Sequence, residues 1–121
     1  MAGVEKKSFD SPDEVRSPEK TRLEVVNLGS VKAARMTAQP GWRWSECIKP
    51  VAGTDSCQTH HVGTVVSGGL RVQHNDGSSV DLTPGDAYVI EPGHDAWVTG
   101  DAPFVALEFD SQAAETYAKP S

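Results

Sequence analysis

"SGGLRVQHNDGSSVDLTPGDAYVIEPGHDAWV", Ser67 to Val98, is the stretch whose reading decides the fold. Apolar and polar residues alternate through it, and a Gly, Pro, Asn or Asp interrupts every few positions. Alternation with period two sends successive side chains to opposite faces of an extended strand. "LRVQH" and "SVDL" flank "NDGS", which is a hairpin signal. "TPGD" places Pro84 second and Gly85 third in a turn, the chemistry of type II. "AYVI" reads as a nearly all-apolar strand, "EPGHD" turns the chain again with His94 in it, and "AWVTG" and "FVALEF" read as the last strands.

Working outward, "LEVVNLG" reads as a strand ending at Gly29. "VKAARMTAQ" fits either a helix or an extended segment closed by Pro40-Gly41. "WRWSECI" alternates, so Trp42, Trp44 and Glu46 are expected on one strand face and Arg43, Ser45 and Cys47 on the other, with Lys49-Pro50 as the stop. "VAGTDS" reads as loop and "CQTHHVGTVVS" as a strand rich in Val and Thr, turned by Gly68-Gly69. Short strands turned about every eight to twelve residues predict an all-β sandwich or barrel, and closure into a barrel removes exposed strand edges.

The 121 residues suit one domain. Residues 1–21, with two Ser-Pro pairs and many charges, read as a flexible tail, or as an arm anchored through Phe9 and Val15. Residues 22–110 form the expected barrel, and residues 111–121 a C-terminal tail with a short helix. A formal net charge of -6, from 17 acidic and 11 basic residues, argues against sequence-independent binding to nucleic acid or to an anionic membrane. No apolar run reaches the roughly 18 residues of a membrane span, and the N-terminus has no secretory apolar core, so a cytoplasmic location is expected. Two cysteines, Cys47 and Cys57, make no disulfide scaffold; they stand as two thiols, or as one pair if the fold brings them close.

The stretch containing Val65-Val66-Ser67-Gly68, Leu82-Thr83-Pro84-Gly85-Asp86 and Glu91-Pro92-Gly93-His94 resembles the second half of a cupin domain, and the likeness covers roughly residues 38–109. The resemblance implies a small double-stranded β-helix (jelly-roll) barrel and homodimerisation. Metal-dependent cupins carry a His-x-His pair, a Glu shortly after it, and a later His. Carried over position by position, the pair falls on Cys47 and Lys49, or on Asp55 and Cys57 when no insertion is allowed. The Glu position falls on His61, and the last His on Ala96, two residues after His94. The ligand set that results is atypical: His61, His94, Cys47 and Cys57.

On an extended strand Cys57, Thr59, His61 and Gly63 share one side. A buried His61 needs a partner, which a metal, a carboxylate or a backbone carbonyl can supply. His94 is either a turn residue beside Asp95 or a ligand or acid/base group from the opposite lip of the barrel. Two thiolates and two imidazoles together would suit zinc, with iron, nickel, copper or manganese as further candidates and no metal if the site is degenerate. His60 is expected to face outward, and His74 to be solvated beside its hairpin. Trp42, Trp44 and Trp97 read as structural, or as an aromatic wall for an organic ligand. Glu108 is left either exposed or reaching into the barrel. Three functions follow: a metal-binding protein handling a small organic molecule (an oxygenase, isomerase or lyase if an enzyme), a non-enzymatic ligand-binding or sensor module, or a structural dimer.

Overall fold

A computed structural model describes residues 3–109. The expected C-terminal helix over 111–121 lies outside them. Among the described residues nine strands and two four-residue helices follow one another: β1 (Glu14–Arg16), β2 (Thr21–Leu28), β3 (Val31–Ala38), α1 (Trp44–Cys47), α2 (Lys49–Ala52), β4 (His61–Ser67), β5 (Gly69–His74), β6 (Ser79–Leu82), β7 (Ala87–Ile90), β8 (His94–Thr99) and β9 (Phe104–Phe109). They form a six-stranded antiparallel sheet, β1-β2-β3-β9-β4-β7, and a three-stranded one, β6-β5-β8. One apolar core joins the two: Leu23, Met36 and Phe104 from the larger sheet meet Leu70, Val72 and Val98 from the smaller.

β8 and β9 obey the period of two. On β8 the inward residues are His94, Ala96 and Val98; on β9 they are Phe104, Ala106 and Glu108. "VKAARMTAQ" resolves as strand, because β3 pairs with β2 on one side and β9 on the other. At "TPGD" the Asp86 amide donates to the Thr83 carbonyl at 3.0 Å, closing the turn, and Gly85 takes φ 94°. β1 lies inside the segment expected as tail or arm. Phe9 sits under the Arg35 guanidinium, 5.6 Å from it, and Val15 is 41% exposed.

"WRWSECI" is a correction. Only Arg43 makes a β-bridge, to Trp97, and the chain then turns helical, the Cys47 amide donating to the Arg43 carbonyl at 2.9 Å. Coiling puts both Trp42 and Trp44 into the core while Glu46 is left exposed on a different side from them. The shared face of Trp42 and Trp44 holds, while the helical turn brings Cys47 to the buried side. Pro50 does not end an element here; it sits in the first turn of α2, where its missing N–H costs nothing. "CQTHHVGTVVS" is strand only from His61 onward.

Candidate metal centre

His61 opens β4 facing inward and is buried. Two positions on, Gly63 lies opposite Glu108 of β9 on one side and Tyr88 of β7 on the other. With no side chain at Gly63, the two neighbours meet over it: the Tyr88 hydroxyl donates to Glu108 Oε2 at 2.8 Å. Glu108 Oε1 accepts from His61 Nδ1 at 2.7 Å. A carboxylate on Nδ1 fixes the ring and its tautomer and turns Nε2 toward the interior.

His94 is fixed by other means. In "EPGHD" its Nδ1 donates to the Glu91 carbonyl at 2.9 Å, the carbonyl three residues back, so the imidazole caps its own turn. Its ring packs edge-on to His61 with centroids 5.3 Å apart. Cys57 arrives not by strand alternation but through a β-bridge to His94, its amide donating to the His94 carbonyl at 2.7 Å. Cys57 Sγ then lies 3.8 Å from His61 Nε2. Among the described residues, Cys57, His61 and His94 form a buried group whose ligand atoms all fall within 4.8 Å of one another.

The electrostatics follow from that closeness. Burial alone would push the Cys57 thiol up, but hydrogen bonds and charge from His61 and His94 outweigh it and hold the thiol down at about 6. Burial would likewise discharge His61; the Glu108 carboxylate and Cys57 outweigh it and raise the imidazole to about 10. Tyr88 is pushed well above the ordinary phenol range by burial and by the Glu108 charge, so it remains a proton donor.

One thiolate and two imidazoles, each imidazole tied through Nδ1 to an oxygen acceptor, suit zinc or another nitrogen- and sulfur-preferring metal. Three protein donors, unlike four, leave a position for another ligand. A cavity of about 20 Å³ beside the histidines is lined also by Met36, Trp44, Ile90 and Phe104. The two buried tryptophans differ there. Trp42 Nε1 donates to Thr21 Oγ1 at 2.8 Å, whereas Trp44 Nε1, equally buried, has no acceptor among the described residues. A buried donor left so costs on the order of 1–3 kcal/mol.

Cys47 is not brought to this group; its thiol lies 3.9 Å from Glu19 Oε2. Neither cysteine is in a disulfide, and both are buried. His60 is partly exposed near Glu91, 3.4 Å away, and His74 Nε2 contacts the Pro92 carbonyl at 2.8 Å. Trp97 is half-buried beneath the Arg43 guanidinium at 4.3 Å. Sequence reasoning left Glu108 open and passed over Tyr88. The period of "FVALEF" did hold a signal, since it sets Glu108 on the same face as Phe104.

No protein-family model matches the chain, and no curated protein matches its sequence. Solved structures match its fold. A protein of unknown function from Rhizobium leguminosarum bv. viciae 3841 superposes with a TM-score of 0.64 at 20% identity, over 89% of this chain and 96% of that one. A sugar phosphate isomerase from a cupin superfamily, from Silicibacter pomeroyi DSS-3, gives 0.60 at 18%, over 87% and 74%. An uncharacterized protein with a double-stranded β-helix domain from Klebsiella pneumoniae gives 0.58 at 21%, over 88% and 84%. The molecule is therefore an all-β protein with the cupin fold, the double-stranded β-helix. Within that fold it carries a Cys-His-His group able to hold a metal.

Proposed function

We propose that this chain is a metal-binding cupin-fold protein in which Cys57, His61 and His94 hold a divalent metal, zinc before iron, nickel, copper or manganese, and that it binds or acts on a small organic molecule. The observation that carries the reading is the convergence of those three donors to within 4.8 Å in a buried, polar-braced corner of an apolar core. Buried titratable groups are otherwise costly, and a metal gives the thiolate and both imidazoles a common partner. A metal held there would supply Lewis acidity to an acceptor atom of the ligand. The chain's own part is distinct: Glu108 orients His61, the Glu91 carbonyl orients His94, the Tyr88 hydroxyl donates a hydrogen bond to Glu108 Oε2, and Phe104 with Met36 lines the wall beside them.

The cavity's small size, about 20 Å³, favours a second reading in which the barrel is a non-enzymatic binding or sensor module. Two features belong to either reading. Two buried, unpaired thiols suit a reducing compartment such as the cytoplasm. Exposed Val62, Val80 and Val89 suit a homodimer. No helix among the described residues is long and apolar enough to cross a membrane.

Metal analysis of tag-free protein tests the proposal. Near-stoichiometric metal that disappears in His61→Ala/His94→Ala, while Cys47→Ala retains it, supports it. Protein that is isolated without metal and takes up no added zinc sinks it. Metal-free protein that nonetheless gains thermal stability with an organic ligand selects the second reading.

A further inference from the structure

We propose that the open seam between β6 and β7 is a binding groove for an organic cation with a compact apolar body, an aryl- or alkylammonium. This deepens the small-molecule part of the reading above, by giving the molecule a place and a class, and it needs no metal. Among the described residues β6 ends the smaller sheet and pairs only with β5, while β7 ends the larger and pairs only with β4, so no ladder joins β6 to β7. Cross-strand partners share a face, and Val80 stands opposite the buried Val72, two positions from the buried Leu70–Leu82 pair. Val80 therefore belongs to the inner face, yet it is 53% exposed. An inner-face valine open to solvent means that the two sheets part there. The groove that results measures about 360 Å³, within the roughly 300–1,000 Å³ of small-molecule sites, whereas the cavity beside His61 and His94 has about 20 Å³.

The lining sets the class. Its apolar part runs from the buried Val72 through the half-buried Ile90 to the exposed Val80 and Val89. Such surface favours a ligand with hydrocarbon to cover it. Its polar part includes the carboxylates of Asp76 and Glu91, both exposed, and neither lysine nor arginine. Asp76 is held in place, its Oδ1 accepting from the Ser78 amide at 2.8 Å. His74, also in the lining, is tied at both ring nitrogens, to the Pro92 carbonyl and to the Asp76 amide. The neighbouring cationic groups are engaged: Arg71, which donates to Ser79, is bound to Asp81 at 2.9 Å, and His60 lies 3.4 Å from Glu91. Two carboxylates in the groove of a chain with net charge -6 attract a cation and repel an anion. Ile90 also lines the small cavity and pairs with His61 across β4 and β7, so the groove adjoins the Cys-His-His group through that side chain.

Backbone amide resonances of the protein as isolated, with its metal content measured in parallel, test this against benzylamine, phenylmethanol and benzoate. Benzylamine should shift the amides from His74 to Val80 and from Val89 to Glu91 saturably, and benzoate should shift none of them. Phenylmethanol should bind about threefold to thirtyfold more weakly than benzylamine, the range for two exposed ion pairs. Asp76→Asn/Glu91→Gln should lower benzylamine affinity by about the same factor and leave phenylmethanol unchanged. Added salt should narrow the gap between amine and alcohol. Absence of saturable shifts in the groove, equal affinity for benzylamine and phenylmethanol, or binding of benzoate there overturns the inference. Benzylamine shifts confined to Cys57, His61 and His94 also overturn it, since the amine is then a ligand of the metal centre. Groove shifts in a protein that holds and takes up no metal leave it standing while the metal reading falls. If the double variant does not fold, the comparison of amine with alcohol in the parent decides.

Discussion

Gly63→Ala should lower folding stability by about 2–5 kcal/mol, an unusually large effect for adding one methyl group. Gly63 has no left-handed φ, so the backbone itself would accept alanine. At such a site the substitution ordinarily stabilises by about 0.4–1 kcal/mol through the unfolded chain. Here the added Cβ runs into the Leu107 carbonyl oxygen and stands 2.9 Å from both Glu108 Cγ and the Tyr88 hydroxyl. The carbonyl belongs to the β4–β9 ladder and cannot swing aside. Overpacking of this kind costs about 1–3 kcal/mol. Displacing Glu108 also breaks the Tyr88 hydrogen bond to a carboxylate, worth about 1.5–3 kcal/mol. The sum, less the unfolded-state gain, gives the stated range. Urea unfolding of metal-free protein measures it, and zinc affinity measured in parallel should fall about tenfold to a hundredfold as His61 loses its brace. Combining Gly63→Ala with Tyr88→Phe should cost less than the sum of the two, since the second removes one of the colliding atoms. A Gly63→Ala protein within about 0.5 kcal/mol of the parent would refute the placement of Glu108 over β4.

Tyr88→Phe alone should cost about 1.5–3 kcal/mol in the same assay, because it removes a hydrogen bond to a buried carboxylate. With the Cys57 thiol held down at about 6 and His61 raised to about 10, zinc binding should release about one proton near pH 8, from His61, rising toward about two below pH 6. Calorimetry in buffers of different ionisation enthalpy counts those protons, and a count that stays constant from pH 5 to about 9 contradicts the assignment. In metal-free protein the ultraviolet thiolate band lost in Cys57→Ser should titrate with a midpoint near 6 and not near the ordinary 9.0. Glu108→Gln keeps the shape but removes the charge, so it should weaken zinc binding about tenfold to a hundredfold while the fold persists in circular dichroism.

Much of the architecture was legible because its signals are local. Alternation in "LRVQH", "SVDL" and "FVALEF" needs only neighbouring residues, and Pro84-Gly85 and Pro92-Gly93 dictate their backbone angles wherever they stand. That His61 and Gly63 share a strand face followed from the same count; that this face is the inner one did not. "WRWSECI" was not legible. Its period suited a strand, and the turn from Trp44 to Cys47 that takes its place buries Cys47 beside Trp44, a packing that local alternation does not encode.

The centre itself depended on pairings between distant segments. Nothing in the spacing of Cys47 and Cys57 says which one meets His61; the bridge from Cys57 to His94 decides it, while Cys47 ends beside Glu19. Glu108 becomes the partner of His61 because β4 and β9 align Gly63 opposite it, a register that no single segment encodes. Residue types and their strand faces are written along the chain, since they require only a period. Which faces share one interior is set by strand order and register, because hydrogen-bond ladders join residues the sequence keeps far apart.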